Sequence, residues 1–256
     1  MHRFSTTLLI PWISALLLSS TVSPQTAAQS SVTPPPVRAD NGLIAVVADA
    51  GTVQYRVESA DGTPLLFRSG KGVTGYVNVR FRNTTYTNNL LHRPSLPPGE
   101  RAMERIQVAS LPDRVRVTAF LRNGSDSLRF RQDLIPSIDG DYAYINSVVT
   151  LENLSPRPVT AGVLMMLDIM IGIRDTVDLR VDNASVTHER DWRSSSVPSE
   201  YTATAEGSPY TILGRLRSST ADAPDHFVAG NWQFNGYLGT AIWNYTPSGL
   251  VIIDDA

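Results

Sequence analysis

The chain contains no cysteine. That excludes a disulfide framework, a lipidation cysteine, a thiol nucleophile and a thiolate metal site. A periplasmic or bacterial secreted domain of this size need not carry disulfides, whereas secreted eukaryotic ones often do. Lysine is nearly missing too. Lys71 stands alone, and every other basic side chain apart from histidine is arginine. The formal charge is −2. A near-neutral chain offers no electrostatic surplus for nucleic acid, so no nucleic-acid partner is expected. Long apolar runs are equally scarce. The clearest is Leu8 to Leu18, which is broken by Pro11, Trp12 and Ser14. It is too short for a bilayer, which needs roughly 20 apolar residues. No Gly-x-Ser-x-Gly elbow, His-Glu-x-x-His pair or phosphate loop occurs. No segment shows the 3.6-residue periodicity of an amphipathic helix.

What is present begins with an export signal. Arg3 supplies a positive start, Leu8 to Leu18 the apolar centre, and Thr26-Ala27-Ala28 small residues for cleavage. Residues 1–28 are expected to be removed, leaving a secreted or periplasmic protein with no membrane attachment. Residues 29–40 hold Pro34-Pro35-Pro36 and read as a proline-containing linker. Residues 41–256 read as one domain.

Within it the pattern is strands. Leu43 to Ala48 is a continuous apolar run. Thr52 to Ser59 alternates, Asp61-Gly62 signals a turn, and Pro64 to Arg68 follows. Val77, Val79 and Phe81 alternate with Asn78, Arg80 and Arg82. Residues 83–104, rich in Asn, Pro and Gly, read as a long loop. Strands resume at 105–110, 114–121, 127–134 and 142–151. Val115, Val117, Ala119 and Leu121 share one face, and Leu128 and Phe130 point the same way. Thr160 to Ile173 is the most hydrophobic stretch. Shorter strands are expected at 177–181, 208–216, 226–234, 238–243 and 249–253. Strands this frequent, separated by turn residues, indicate an all-β sandwich or barrel.

The run Val149-Thr150-Leu151-Glu152-Asn153-Leu154-Ser155, then Ala161 to Gly172 ending Leu167-Asp168-Ile169-Met170-Ile171-Gly172, resembles a family of uncharacterised exported bacterial β-sandwich domains. Pro224-Asp225-His226-Phe227-Val228-Ala229-Gly230-Asn231-Trp232 and Trp243-Asn244-Tyr245-Thr246-Pro247 agree with it. The resemblance spans roughly residues 41–256. It implies a large two-sheet antiparallel sandwich like the supersandwich of galactose mutarotase and polysaccharide-lyase domains. The family's turn maps onto Asp168, Gly172 and Asp175, although Ile173-Arg174-Asp175-Thr176 replaces its Asn-Asp-Gly loop. In the family another strand begins where this chain has Asp254-Asp255-Ala256, so the domain is expected to lack its last strands.

Four constellations carry chemistry. Arg80/Arg82, Arg114/Arg116 and Arg129/Arg131 each lie two apart on a strand, opposite an apolar face. On neighbouring strands they would form a patch able to grip uronic or sulfated sugars. The plainer expectation is a solvated face in which they pair with acids such as Glu104, Asp126 and Asp133. Trp192, Trp232, Trp243 and Tyr245 cluster in the last third of the chain and would stack on sugar rings, unless they pack the core. Asp168, Asp175, Asp178 and Asp182 flank one strand end; as oxygen ligands they could hold calcium, and as turn caps they need no metal. His92, His188 and His226 are the histidines left for acid–base work, and nothing in their spacing brings them together. These features predict a non-catalytic module without cofactor or metal, binding a polysaccharide or cell-surface glycan or serving a structural role. The alternative is an aldose-epimerase or polysaccharide-lyase type of enzyme.

Overall fold

The computed structural model describes Pro35 to Ile252, apart from residues 51–53, 67, 70–71, 74, 89–95, 97, 141, 174–175, 218–222, 231–242 and 244–245. The signal segment 1–28, residues 238–242 of the expected strand at 238–243 and Asp254-Asp255-Ala256 lie outside the described residues.

The described residues are all-β. Nineteen strands occur with one 3-10 turn at Ser194–Ser196. β1 (Val37–Asp40), β2 (Ile44–Ala48) and β3 (Tyr55–Ser59) form a first sheet. β4 (Arg68–Ser69) and β5 (Gly72–Val73) pair locally. β6 (Tyr76–Phe81), β7 (Thr84–Thr87) and β8 (Glu100–Ala102) belong to a second sheet. β9 (Glu104–Leu111), β10 (Arg114–Asn123), β11 (Asp126–Asp139) and β12 (Tyr142–Asn153) make a long antiparallel meander in the order β12-β11-β10-β9. β13 (Ala161–Met166) returns to the second sheet beside β6, giving β13-β6-β7-β8. β14 (Asp178–Val181), β15 (Ala184–Ser185), β17 (Glu200–Thr204) and β18 (Thr211–Arg215) form a fourth unit ordered β15-β14-β17-β18. β16 (Arg190–Arg193) pairs with β19 (His226–Ala229). All pairings are antiparallel except β7 with β8.

The alternating pattern sets which face is buried. Val115, Val117, Ala119 and Leu121 on β10 are fully buried, as are Phe130 and Leu134 on β11, with Leu128 almost so. Each large apolar side chain withdrawn from water contributes about 1.5–3 kcal/mol. Two groups of partners cover this inner face. Val77, Val79 and Phe81 of β6, Tyr86 of β7 and Met103 pack on Val117, Ala119, Leu121, Leu128 and Phe130. Val46, Tyr55 and Val57 of the first sheet share a second core with Val115 and Leu134, joined by Leu179, Val181, Trp192, Tyr201 and Ala229. The long meander is therefore the common floor of both cores.

Several expectations need correcting. Residues 37–40, read as linker, are β1 and pair with β2. The stretch 83–104 holds two strands, β7 and β8. Thr84-Thr85-Tyr86-Thr87 is a strand-forming sequence hidden by the Asn and Pro residues around it, and Arg82 takes φ 55° in the turn that leads to it. The apolar run 160–173 is strand only over β13; Ile169, Met170 and Ile171 enter the core from irregular backbone. β15, β16 and β17 were not foreseen. Asn78, which alternates with the apolar Val77 and Val79, is itself fully buried, and among the described residues its amide finds no hydrogen-bond partner. The other face of the second sheet is therefore covered at Asn78, while Arg80 on the same face stays exposed.

Candidate functional site

The outer face of the long meander carries the densest charge. In register, Arg116 of β10 lies opposite Asp133 of β11, Thr118 opposite Arg131, and Phe120 opposite Arg129. Arg129 and Arg131 in turn face Glu152 and Thr150 of β12. Period-two alternation puts all of these on the side away from the cores.

Asp133 is the hub. Arg116 grips it with two bonds of 2.6 and 3.0 Å. Arg114 and Arg131 approach to 3.6 and 3.7 Å. Burial pushes the Asp133 carboxyl upward, but the Arg116 guanidinium, with Arg131 and Arg114, outweighs it and holds the group below the usual 3.8. Phe120 is the second hub. Arg105 and Arg129 stand over its ring at 5.8 and 5.7 Å from the centroid. Arg105 gets there through a bulge. From Thr118 to Phe120 on β10 the partner strand runs from Gln107 to Glu104, one residue more, and Arg105 takes φ 50° within it. Arg129 also bonds Glu152 at 2.7 Å, Arg131 donates to the Thr150 hydroxyl at 3.3 Å, and Arg122 sits 3.9 Å from Glu104.

Four of the six arginines expected to share a sheet therefore do so. Arg80 and Arg82 do not; they lie at the second sheet. The three acids named as partners are partners. Glu104 meets Arg122, Asp133 meets Arg114, Arg116 and Arg131, and Asp126 holds both Arg82 and Arg157. Even so, the six arginines Arg105, Arg114, Arg116, Arg122, Arg129 and Arg131 outnumber the five acids Glu104, Asp113, Asp133, Asp139 and Glu152. The face keeps a positive surplus, in a chain whose total charge is negative.

The aromatic expectations fare differently. Trp192 is 9% exposed and packs against Phe227, with Arg190 over its ring at 5.0 Å. No face remains for a sugar, which corrects its reading as a stacking platform. Trp243 is half-buried across the second sheet. Its Nε1–H donates to Thr85 Oγ1 at 3.2 Å, and its ring edge lies over Gly162. Gly162, Arg80 and Thr85 form one row across three strands, so Trp243 bridges that row. Trp192 and Trp243 thus sit on different sheets. Trp232 and Tyr245 lie outside the described residues.

Asp168 is buried at 2% exposure. Gly172 has φ 71° and donates its amide to the Pro64 carbonyl at 2.9 Å. Asp175 lies outside the described residues. Asp182 caps a turn, accepting from the Ser199 amide and hydroxyl at 3.1 and 2.9 Å, and Asp178 pairs with Arg180. Among the described residues no three His, Asp or Glu side chains gather as metal ligands. His226 Nε2 lies 3.3 Å from Asp191 Oδ2, which Arg193 also holds at 2.7 Å. The His188 ring hydrogen-bonds the neighbouring Thr187 hydroxyl at 2.9 Å, its backbone bridges to Val251, and His92 lies outside the described residues. A shallow cleft is lined by Thr176, Val177, Asp178, Thr204, Ala205 and Glu206. Among the described residues, no helix is long and apolar enough to cross a membrane. No protein-family model, no curated protein and no solved structure matches this chain.

Proposed function

We propose that this chain is an exported, non-catalytic β-sandwich module that binds an acidic polysaccharide along the outer face of its long meander. The observation that carries the reading is the surplus of guanidinium on that four-stranded face, with Phe120 held between Arg105 and Arg129. Guanidinium forks match carboxylates and sulfates in pairs, and arginines spread over several strands suit an extended polymer rather than a single sugar. The supersandwich architecture implied by the resemblance fits the same role, because such domains display broad sheet faces.

Affinity electrophoresis against polygalacturonate, heparin and neutral dextran tests this. The acidic polymers should retard the protein at about 50 mM salt and release it near 500 mM, where charge is screened. Dextran should do nothing. Arg105→Ala with Arg129→Ala should weaken retardation by about tenfold. No retardation by either acidic polymer would leave a structural role at the cell surface.

The closeness of His226 to Asp191 favours a second reading, an enzyme of the aldose-epimerase or polysaccharide-lyase type, since an imidazole beside a carboxylate is the plan of an acid–base pair. Anomer interconversion or uronate cleavage above the buffer rate, abolished in His226→Ala, would establish it. A rate equal to buffer would eliminate it.

A further inference from the structure

The two edges of the long meander are built differently. β9 carries the devices that discourage another strand from pairing. It begins with Glu104 and Arg105, contains a bulge, and turns Arg105 into the left-handed region. β12 carries none of them. From Tyr142 to Leu151 it has no charged residue, no proline and no glycine, and it pairs with β11 without a register break. Among the described residues no backbone group within β12 bonds to anything beyond its neighbour β11. Its outer face exposes Tyr142 (67%), Tyr144 (43%) and Val148 (40%). Its inner side is open as well. Ala143, Ile145, Ser147, Val149 and Leu151 are only half-buried, whereas Val115, Val117, Ala119 and Leu121 of β10 and Leu128, Phe130 and Leu134 of β11 are shut away from water.

A long, regular, uncharged edge is a template for one more strand. We infer that the occupant is β12 of a second copy of this chain, paired antiparallel about a twofold axis through Asn146. An antiparallel twofold pairing centred there sets Tyr144 against Val148, Tyr142 against Thr150, Ile145 against Ser147, and Asn146 against itself. Faces are preserved, because every pair joins residues of the same parity. The outer face gains four aromatic–β-branched pairs, since the axis repeats each of these two, worth about 0.2–1 kcal/mol each. The only side chains that meet their own copies are amides, which hydrogen-bond to one another. No like charges meet, because the segment has none. Such isologous contacts are the commonest way a soluble chain pairs with itself. The two meanders would merge into one continuous sheet with an arginine face at either end. The half-buried inner side chains of β12 would then gain cover from the partner.

Sedimentation equilibrium of the purified chain tests this directly, with circular dichroism to confirm that each variant folds. The unsubstituted chain should show a monomer–dimer equilibrium. Asn146→Lys, which opposes two like charges across the axis, should weaken dimerisation at least tenfold at low salt. Val148→Lys and Tyr144→Glu should each weaken it, and the two together should restore it, because the register makes them cross-strand partners. A chain that stays monomeric at millimolar concentration overturns the inference. So does a dimer indifferent to all four variants.

Discussion

At the scale of single residues, glycine and aspartate decide most. Gly214 of β18 lies opposite Tyr201 of β17, and a Cβ there would meet the Tyr201 ring at 2.0 Å. That ring is stacked on Phe227 at 5.6 Å and cannot swing aside. Gly214→Ala should therefore cost about 1–3 kcal/mol or more through overpacking, read as a lower urea midpoint. The gentler Gly162→Ala change brings a Cβ to 3.2 Å of the Trp243 ring. It should shift Trp243 fluorescence with little loss of stability. Asp133 holds three guanidinium groups, and Asp133→Asn should destabilise by about 1–3 kcal/mol at pH 7. The sign with pH follows from its lowered pKa. The stabilisation is present above the ordinary value of 3.8 and is lost as pH falls through the folded value. Wild type and variant should therefore converge in strongly acidic urea titrations. The residue identities at these places were legible. Their partners were not, because a glycine in sequence does not say which ring lies above it.

At the scale of elements, β10, β11 and β12 were read within a few residues, because strict alternation over many residues has one explanation. β7 and β17 escaped for opposite reasons. Thr84-Thr85-Tyr86-Thr87 is short and surrounded by turn formers. Glu200 to Thr204 is polar except for Tyr201 and Ala203, which face the core. The β14–β15 connection was not foreseen at all. Its central residues Asp182 and Asn183 take φ 45° and 66°, a two-residue turn whose twist matches the strands. Asn tolerates that conformation, whereas alanine pays a steric cost. Asn183→Ala should lower stability by about 1 kcal/mol, while Asn183→Gly should not, as thermal unfolding would register. The candidate arginine face was half legible for the same reason. Spacing put Arg114, Arg116, Arg129 and Arg131 on strand faces, but only the pairing of β10 with β11 put them side by side and left Arg80 and Arg82 elsewhere.

At the scale of the whole molecule, stability should form a plateau between two titrating populations. On the acid side, Arg157, Arg116 and Arg193 hold Asp126, Asp133 and Asp191 below the usual carboxylate range. Their contribution is present above about pH 4 and fades as pH falls through their folded values. On the alkaline side, burial pushes Tyr201 up to about 12, and burial together with nearby Tyr201 raises Tyr55 further. Folding keeps these phenols neutral, so stability is full below the ordinary value of 10.0 and declines above it, as the unfolded chain loses protons the folded one retains. Chemical unfolding from pH 2 to 12 should show both shoulders. By itself the sequence determined the strand class, the buried faces of the long meander and the excess of arginine over lysine, because these follow from local alternation and composition. Only the tertiary structure decided that Trp192 is core, that Trp243 lies across Gly162, and that β12 is an edge strand among the described residues. Those facts depend on which strands become neighbours. Neighbour choice is settled by the summed burial of whole faces, which no short window of residues contains.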